Sequence, residues 1–249
     1  YNLSIVFSNK GYYEKSISLL RKTIELQPFN EGALHMLNSL TGNKINAAPK
    51  KYVTELFDNH AHKFEDSLIG ELGYKLPKIL KKKIVKDKNT TLGSVLDLGC
   101  GTGLVGQEIR SNCDRLVGID LSNLMLRKAK LKNVYNNLYQ YDIIQFLTEN
   151  TLDFNYFIAA DVFIYIGDLD IIFKLIKLRN KNQGMLVFST EHIDGDSFCI
   201  EKSGRFSHSM NYIKFLSNKY KYSIEYFKKF PLRMEKDQFL DGGFYILNF

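Results

Sequence analysis

Two hydrophobic periods divide the chain. In GYYEKSISLLRKTIELQPFN (residues 11–30), Ile17, Leu20 and Ile24 fall at helical spacing, with Gly11 at a turn before them and Pro28 as a stop. EGALHMLNSLTG (31–42) reads as a further helix, and residues 3–9 as the tail of an earlier one. Ala47, Ala48 and Pro49 mark a junction. Beyond it Tyr52, Val53, Leu56 and Phe57 line one helical face, and Phe64, Leu68, Ile69 and Leu72 line another. Residues 83–93 are polar and basic and read as the entry loop to the main domain.

From Ser94 onward the pattern alternates. SVLDLG, RLVGID, NLYQY, FNYFIAAD and GMLVFST read as short strands, and helices are expected over 104–111, 122–132 and 169–179, with Ser122 as an N-cap. Strands alternating with helices imply an open parallel sheet covered on both faces. After a helix around 208–217, YSIEYFKKF and GFYILNF read as two strands joined by a hairpin-like loop. The expected fold is therefore α/β. It is a Rossmann-like, seven-stranded, mostly parallel sheet with an antiparallel C-terminal edge strand, preceded by a small α-helical segment. The expected boundaries are 1–46 for the helical segment, 47–90 for linker and lid helices, and 91–249 for the sheet domain.

Composition narrows the picture without changing it. A hydrophobic content of 45% is ordinary for a globular protein. No apolar run approaches the roughly 20 residues that span a bilayer, so no membrane partner is expected. The net charge is +7, and its densest run, KLPKILKKKIVKDKN (75–89), reads as a solvated helix face and loop rather than a nucleic-acid surface. Cys100, Cys113 and Cys199 are odd in number and lack a C-x-x-C, so neither disulfides nor zinc are expected, and a reducing, cytoplasmic setting is. No His/Glu cluster has metal spacing.

The candidate chemistry sits in VLDLGCGTGLVG (95–106). GTGLVG (101–106) fits the G-x-G-x-x-G dinucleotide fingerprint letter by letter, which alone is weak evidence, because other nucleoside ligands use the same strand, glycine turn and helix N-terminus. Charge discriminates better. A diphosphate suits the positive end of a helix, and a carboxylate at Asp97 opposes it. A ligand carrying a sulfonium and an ammonium welcomes that carboxylate. At about 5 Å, two unit charges interact by roughly 3 kcal/mol at an effective dielectric of 20. The plainer alternative is that Asp97 bonds its own turn.

DLGCGTG (97–103) resembles motif I of the class I S-adenosylmethionine-dependent methyltransferases, and the resemblance runs from about Tyr52 to the C-terminus. It implies S-adenosyl-L-methionine as cofactor, with Asp97, Gly99, Cys100, Gly101 and Gly103 forming its loop. Cys100 there also fits a small filler. GIDLS (118–122) is similar to the second motif, whose acidic residue, here Asp120, holds the ribose hydroxyls. LSNLMLRKAK (121–130) implies that Leu121 and Met125 flank the adenine; core packing suits Met125 equally. YDII (141–144) carries Asp142 to the adenine amino group with Ile143 beside it, and AADVFIYIGDL (159–169) turns Asp161, Val162 and Phe163 to the methionine half.

The N-terminal segment resembles a tetratricopeptide repeat, with Ser16, Leu20, Thr23 and Pro28 at its small, large, small and proline positions. Repeats need stacked neighbours. Either further repeats precede Tyr1, or this pair packs on the neighbouring domain. Together with YVTELFDNHAHKF (52–64), the order is similar to predicted methyltransferases that carry such repeats, and it implies a protein partner for them. Little more than one repeat unit stands here.

For catalysis, a general base helps if the acceptor is a hydroxyl or ammonium. His192 and His208 follow strand ends, Arg205 one helical turn from His208 suits an acidic substrate group, and Tyr165 suits the pocket wall. His60 and Lys63 are placed to meet the cofactor carboxylate. The acceptor is expected to be a small molecule or a protein side chain. The competing readings are a nicotinamide-dependent oxidoreductase, a non-catalytic adaptor using the helical repeats, and an RNA-modifying enzyme.

Overall fold

In the computed structural model, which describes residues 1–71, 73–87, 89–235 and 238–249, each of these five segments becomes a parallel strand. They are β1 (Ser94–Leu98), β2 (Arg115–Asp120), β3 (Asn137–Gln140), β4 (Tyr156–Ala159) and β5 (Met185–Ile193). Their order is β3-β2-β1-β4-β5, all in parallel register. The chain order reverses between β1 and β4, which opens a crevice at their carboxyl ends.

Among the described residues the sheet has nine strands rather than the expected seven. The two additions, β6 (Phe198–Ile200) and β7 (Phe206–Ser209), form a small antiparallel hairpin. β7 pairs with the last residues of β5, Glu191 opposite Ser207 and His192 opposite His208. The helix expected around 208–217 therefore begins later, at Met210, where Ser209 accepts a hydrogen bond from the Tyr212 N–H at 3.0 Å.

β8 (Ser223–Glu235) and β9 (Gln238–Asn248) pair antiparallel as expected. However, β9 is not the edge: it lies between β5 and β8. The reason is in its side chains. Phe244, Tyr245, Ile246 and Leu247 are all buried, which a strand exposed along one side does not achieve. β8 takes the edge and carries Pro231 beside a bulge, where a missing N–H costs no ladder bond.

The sheet buries both faces. Leu96, Ile119, Phe157, Phe188 and Tyr245 pack against α8 (Ile143–Glu149), α9 (Asp170–Arg179) and α10 (Met210–Tyr220). Val95, Leu116, Ile158, Val187 and Phe244 pack against α5 (Leu76–Ile84) and α6 (Leu104–Ile109). In the basic run Lys75, Lys78, Lys82, Lys83 and Lys86 are exposed while Leu76, Leu80 and Ile84 of α5 are buried. α7 (Asn123–Leu131) is capped by Ser122, which accepts from the Met125 N–H at 3.1 Å.

Before the sheet come α1 (Asn2–Asn9), α2 (Tyr13–Leu26), α3 (Glu31–Thr41) and α4 (Lys50–His60), then a π-helical turn, Asp66–Glu71. Leu72, expected on the second lid face, lies outside the described residues. α1 and α2 approach closely at Ser4 and Ser16, where the Ser16 hydroxyl donates to the Ser4 carbonyl at 2.8 Å. The helical segment packs on the sheet domain: His35 of α3, 1% exposed, bonds the Gly204 carbonyl through Nε2 at 2.7 Å. At the Ala-Ala-Pro junction, the Asn46 carbonyl accepts from the Gly167 and Asp168 N–H groups, each at 2.8 Å.

Candidate active site

β1 ends where the chain must turn sharply into α6, and Gly99, Gly101 and Gly103 take positive φ to do so. At Gly99 a Cβ would lie 2.7 Å from Val162 Cγ2, so only glycine lets the turn close on the β4 loop. At Gly101 a Cβ would meet nothing within 4 Å; this glycine faces open space on the cavity wall. The Gly101 N–H donates to Asp120 Oδ2 at 2.8 Å, and the Ser122 N–H donates to Asp120 Oδ1 at 2.8 Å. Asp120 is thereby fixed at the end of β2, with lone pairs left for hydroxyl donors. Asp97 is buried on β1 and accepts from the Tyr135 hydroxyl at 2.7 Å through Oδ2.

These groups line a cavity of about 770 Å³, within the roughly 300–1,000 Å³ typical of small-molecule sites. Its floor is the carboxyl ends of β1, β2 and β4. Its roof is α4, through Leu56, Phe57 and His60, the turn after it, through Lys63 and Phe64, and the π-helical turn, through Ser67 and Leu68. Phe57 sets its edge against Tyr165 at 5.4 Å and against Phe64 at 5.9 Å between ring centroids. Several bonds tie the roof down, among them that of Lys128 to the His62 carbonyl at 3.3 Å. Ser122 donates to Asp58, Lys50 pairs with Asp142 at 3.0 Å, and Lys132 pairs with Glu65 at 2.9 Å.

Burial dominates the electrostatics. It pushes the Asp97 carboxyl up to about 7, the Asp120 charge adding to the rise and the Tyr135 hydrogen bond opposing it. Burial likewise pushes Asp120 up to about 6, against the pull of the N–H groups of Ser122 and Gly101. The Cys100 thiol is raised well above its ordinary value by burial and by the two carboxylates, which leaves it a small filler and no nucleophile.

Most of the expected cofactor residues come together on this wall: Asp97, Gly99, Cys100, Gly101, Asp120, Leu121, Asp142, Ile143, Asp161 and Val162. Asp161 does so with φ of 60°, a backbone conformation that non-glycine residues seldom adopt. Gly103 and Met125 do not reach the wall. Gly103 faces Tyr135 and Ala129 in the packing behind the loop, and Met125 is fully buried in α7.

The catalytic candidates divide similarly. Tyr165 and Arg205 line the cavity. His208 does not. It lies within β7, not in a helix, so it does not stack one helical turn beyond Arg205, which precedes the strand. It is fully buried, with Nε2 bonding the Ile166 and Gly167 carbonyls at 3.0 and 2.9 Å. His192 packs against Phe227 and approaches Asp194 at 3.5 Å, away from the cavity. Arg205 is held by Glu191, Nε to Oε1 at 2.6 Å, so the acidic group it meets belongs to the protein itself. Tyr135 was not foreseen; it sits in a polar loop, VYNN, with no periodic signal.

The arrangement offers carboxylates and an apolar, roofed chamber, a combination that suits a cationic nucleoside and opposes a diphosphate. A family profile described as a methyltransferase domain matches residues 89–228. The chain belongs to this family. Among curated relatives, 94 residues are 35% identical to malonyl-[acyl-carrier protein] O-methyltransferase of Hamiltonella defensa, over 36% of this chain and 33% of that protein. An uncharacterized methyltransferase of Schizosaccharomyces pombe is 38% identical over 55 residues, 22% of this chain and 21% of the relative. The matched stretch thus spans a third or less of the length of these two relatives. Among solved structures, magnesium protoporphyrin IX methyltransferase of Synechocystis with bound S-adenosylhomocysteine superposes with a TM-score of 0.61 at 14% identity, over 80% of this chain and 98% of that one. An S-adenosylmethionine-dependent methyltransferase of Clostridium acetobutylicum gives 0.56 at 17% identity, over 77% and 98%. These likenesses establish the methyltransferase fold. Among the described residues, no helix is long and apolar enough to cross a membrane, and no group of three or more His, Cys, Asp or Glu gathers to hold a metal.

Proposed function

We propose that this chain is an S-adenosylmethionine-dependent methyltransferase whose acceptor is a small molecule with an apolar body. The observation that carries the reading is the pair of carboxylates, buried Asp97 and half-buried Asp120, at the open glycine turn of a roofed cavity. The cofactor is S-adenosyl-L-methionine, which when bound supplies an electrophilic methyl group on a sulfonium sulfur. Asp120 accepts the ribose hydroxyls, Asp97 favours the cationic amino acid half, Asp142 meets the adenine edge, and Gly101 leaves the space.

On the acceptor side, Phe57, Phe64 and Tyr165 exclude water and orient an apolar body for in-line attack. The roof over this chamber favours a free small molecule over a protein side chain. Of the five histidines, His60 alone lines the cavity. Its Nδ1 bonds the Leu56 carbonyl at 2.7 Å, so Nδ1 carries the proton and Nε2 is the basic nitrogen. His60 therefore takes the proton from a hydroxyl acceptor. Residues 91–249 form the catalytic unit and 47–90 its lid. Residues 1–46 are a partial tetratricopeptide-like element leaning on that unit. The three cysteines are unpaired, which suits a reducing, cytoplasmic setting.

Thermal unfolding with S-adenosylmethionine, S-adenosylhomocysteine and NAD tests the cofactor. A ligand at 100 times its dissociation constant stabilises by about 2.7 kcal/mol. Stabilisation by NAD alone overturns the reading. A metabolite screen with radiolabelled methyl donor then identifies the acceptor.

A further inference from the structure

Three glycines behind the loop share one neighbour. A Cβ on Gly106 would lie 2.5 Å from Tyr135 Oη and Cζ, one on Gly118 would lie 2.9 Å from its Cε1, and one on Gly103 would lie 3.0 Å from its Cε2. They come from α6, β2 and the turn between β1 and α6, and together they leave a slot shaped to a phenol. The slot leads to Asp97, and the phenol that fills it donates to the Asp97 carboxylate at 2.7 Å.

The loop carrying Tyr135 is pinned for this purpose. Asn136 of that loop bonds Leu116 of β2 both ways: its N–H donates to the Leu116 carbonyl at 2.8 Å, and its Oδ1 accepts from the Leu116 N–H at 2.7 Å. Arg110 Nη1 also donates to Asn136 Oδ1, at 3.1 Å.

We propose that Tyr135 is a positioning residue for methyl transfer, its phenol holding Asp97 as an oriented carboxylate for the cationic half of the cofactor. This rests on the chain being a methyltransferase that takes S-adenosylmethionine. The other charged group acting on Asp97 is Asp120, and Asp97 in turn raises the thiols of Cys100 and Cys113. Asp120 raises the Asp97 carboxyl, whereas the Tyr135 hydrogen bond lowers it. The phenol is itself pushed well above its ordinary value by burial and by Asp97, so it stays protonated and remains a donor across the working range. Without Tyr135, burial and Asp120 act on Asp97 unopposed by this bond, and a larger share of the protein carries Asp97 neutral.

The test compares wild type, Tyr135→Phe, Asp97→Asn and the double variant by calorimetric binding of S-adenosylmethionine from pH 6 to 9. The Asp97 carboxyl of the ligand-free protein is titrated in parallel by carbon-13 NMR. Tyr135→Phe keeps the ring in its slot and removes one bond to a charged group. It should weaken binding about tenfold at pH 7, with the deficit closing toward pH 9, and it should raise the Asp97 titration. Asp97→Asn should weaken binding, and adding Tyr135→Phe to it should cost nothing further. A deficit independent of pH, additive losses in the double variant, or an unmoved Asp97 titration overturns the proposal. Should Tyr135→Phe fail to fold, Gly106→Ala, which crowds the phenol oxygen, must raise the same titration. A raised titration in a protein that takes no S-adenosylmethionine at any pH supports the Tyr135–Asp97 link and overturns the cofactor reading instead.

Discussion

The two raised carboxyls make cofactor affinity a function of pH. Asp97 is pushed up to about 7 and Asp120 to about 6, in both cases chiefly by burial. Below those values the free protein holds protons on these groups, and a cationic ligand, which favours the charged forms, must displace them. Affinity therefore rises with pH. Between pH 6 and pH 8 the ionised fraction of Asp97 rises about tenfold and that of Asp120 about twofold, so the dissociation constant should fall roughly 20-fold. Calorimetry at pH 7 in two buffers of different ionisation enthalpy should count roughly 0.6 protons released per S-adenosylmethionine bound. S-adenosylhomocysteine keeps the ammonium but lacks the sulfonium and should give a shallower slope. Stability of the free protein runs the other way. Both pKa values lie above the ordinary 3.8, so their contribution to stability is present at low pH and is lost as pH rises from about 4 to about 7. A flat or falling affinity between pH 6 and 8 refutes the electrostatic reasoning, because it means the ligand does not need these carboxylates charged.

Further outcomes separate structure from chemistry. His208→Ala removes a buried donor to two carbonyls; denaturant unfolding should show a loss of about 1–3 kcal/mol, with S-adenosylmethionine affinity unchanged. A tenfold drop in affinity contradicts the structural role assigned to it. Ser122→Ala deletes the cap of α7 and the link to Asp58 of the roof, so unfolding should register a loss of about 1–2 kcal/mol. Once an acceptor is identified, His60→Ala should lower kcat for a hydroxyl acceptor by roughly 100-fold while sparing cofactor binding. An equal loss in both places His60 at the cofactor instead.

The wall proposed for the cofactor was legible because its residues lie at strand ends. Asp97, Asp120 and Asp161 each sit on or just after an apolar run, and Asp142 just after the more polar NLYQY; a parallel sheet delivers all such ends to one side. The acceptor half was not. Arg205 and His208 read as helical neighbours because SGRFSHSMNYI has no strict alternation. The hairpin β6–β7 that contains them pairs here because β5 runs past the end of β4, whose last partner is Phe188, and leaves Glu191–Ile193 to pair with β7 on that edge, while β9 holds the other edge as far as Glu191. That pairing joins distant parts of the chain, and no local pattern announces it.

The letters GTGLVG show why a fingerprint underdetermines a ligand. Glycine reports only that a side chain has no room or that the backbone needs positive φ. At Gly101 the missing side chain leaves cavity wall; at Gly103 and Gly106 it makes way for Tyr135. The third glycine of the pattern thus serves a phenol that donates to Asp97, and a phosphate contact is not needed to account for it. What selects the ligand is the charge beside the turn. Two carboxylates held off water admit a cation and raise the free energy of a diphosphate in the same place, by roughly 3 kcal/mol for each pair of charges about 5 Å apart.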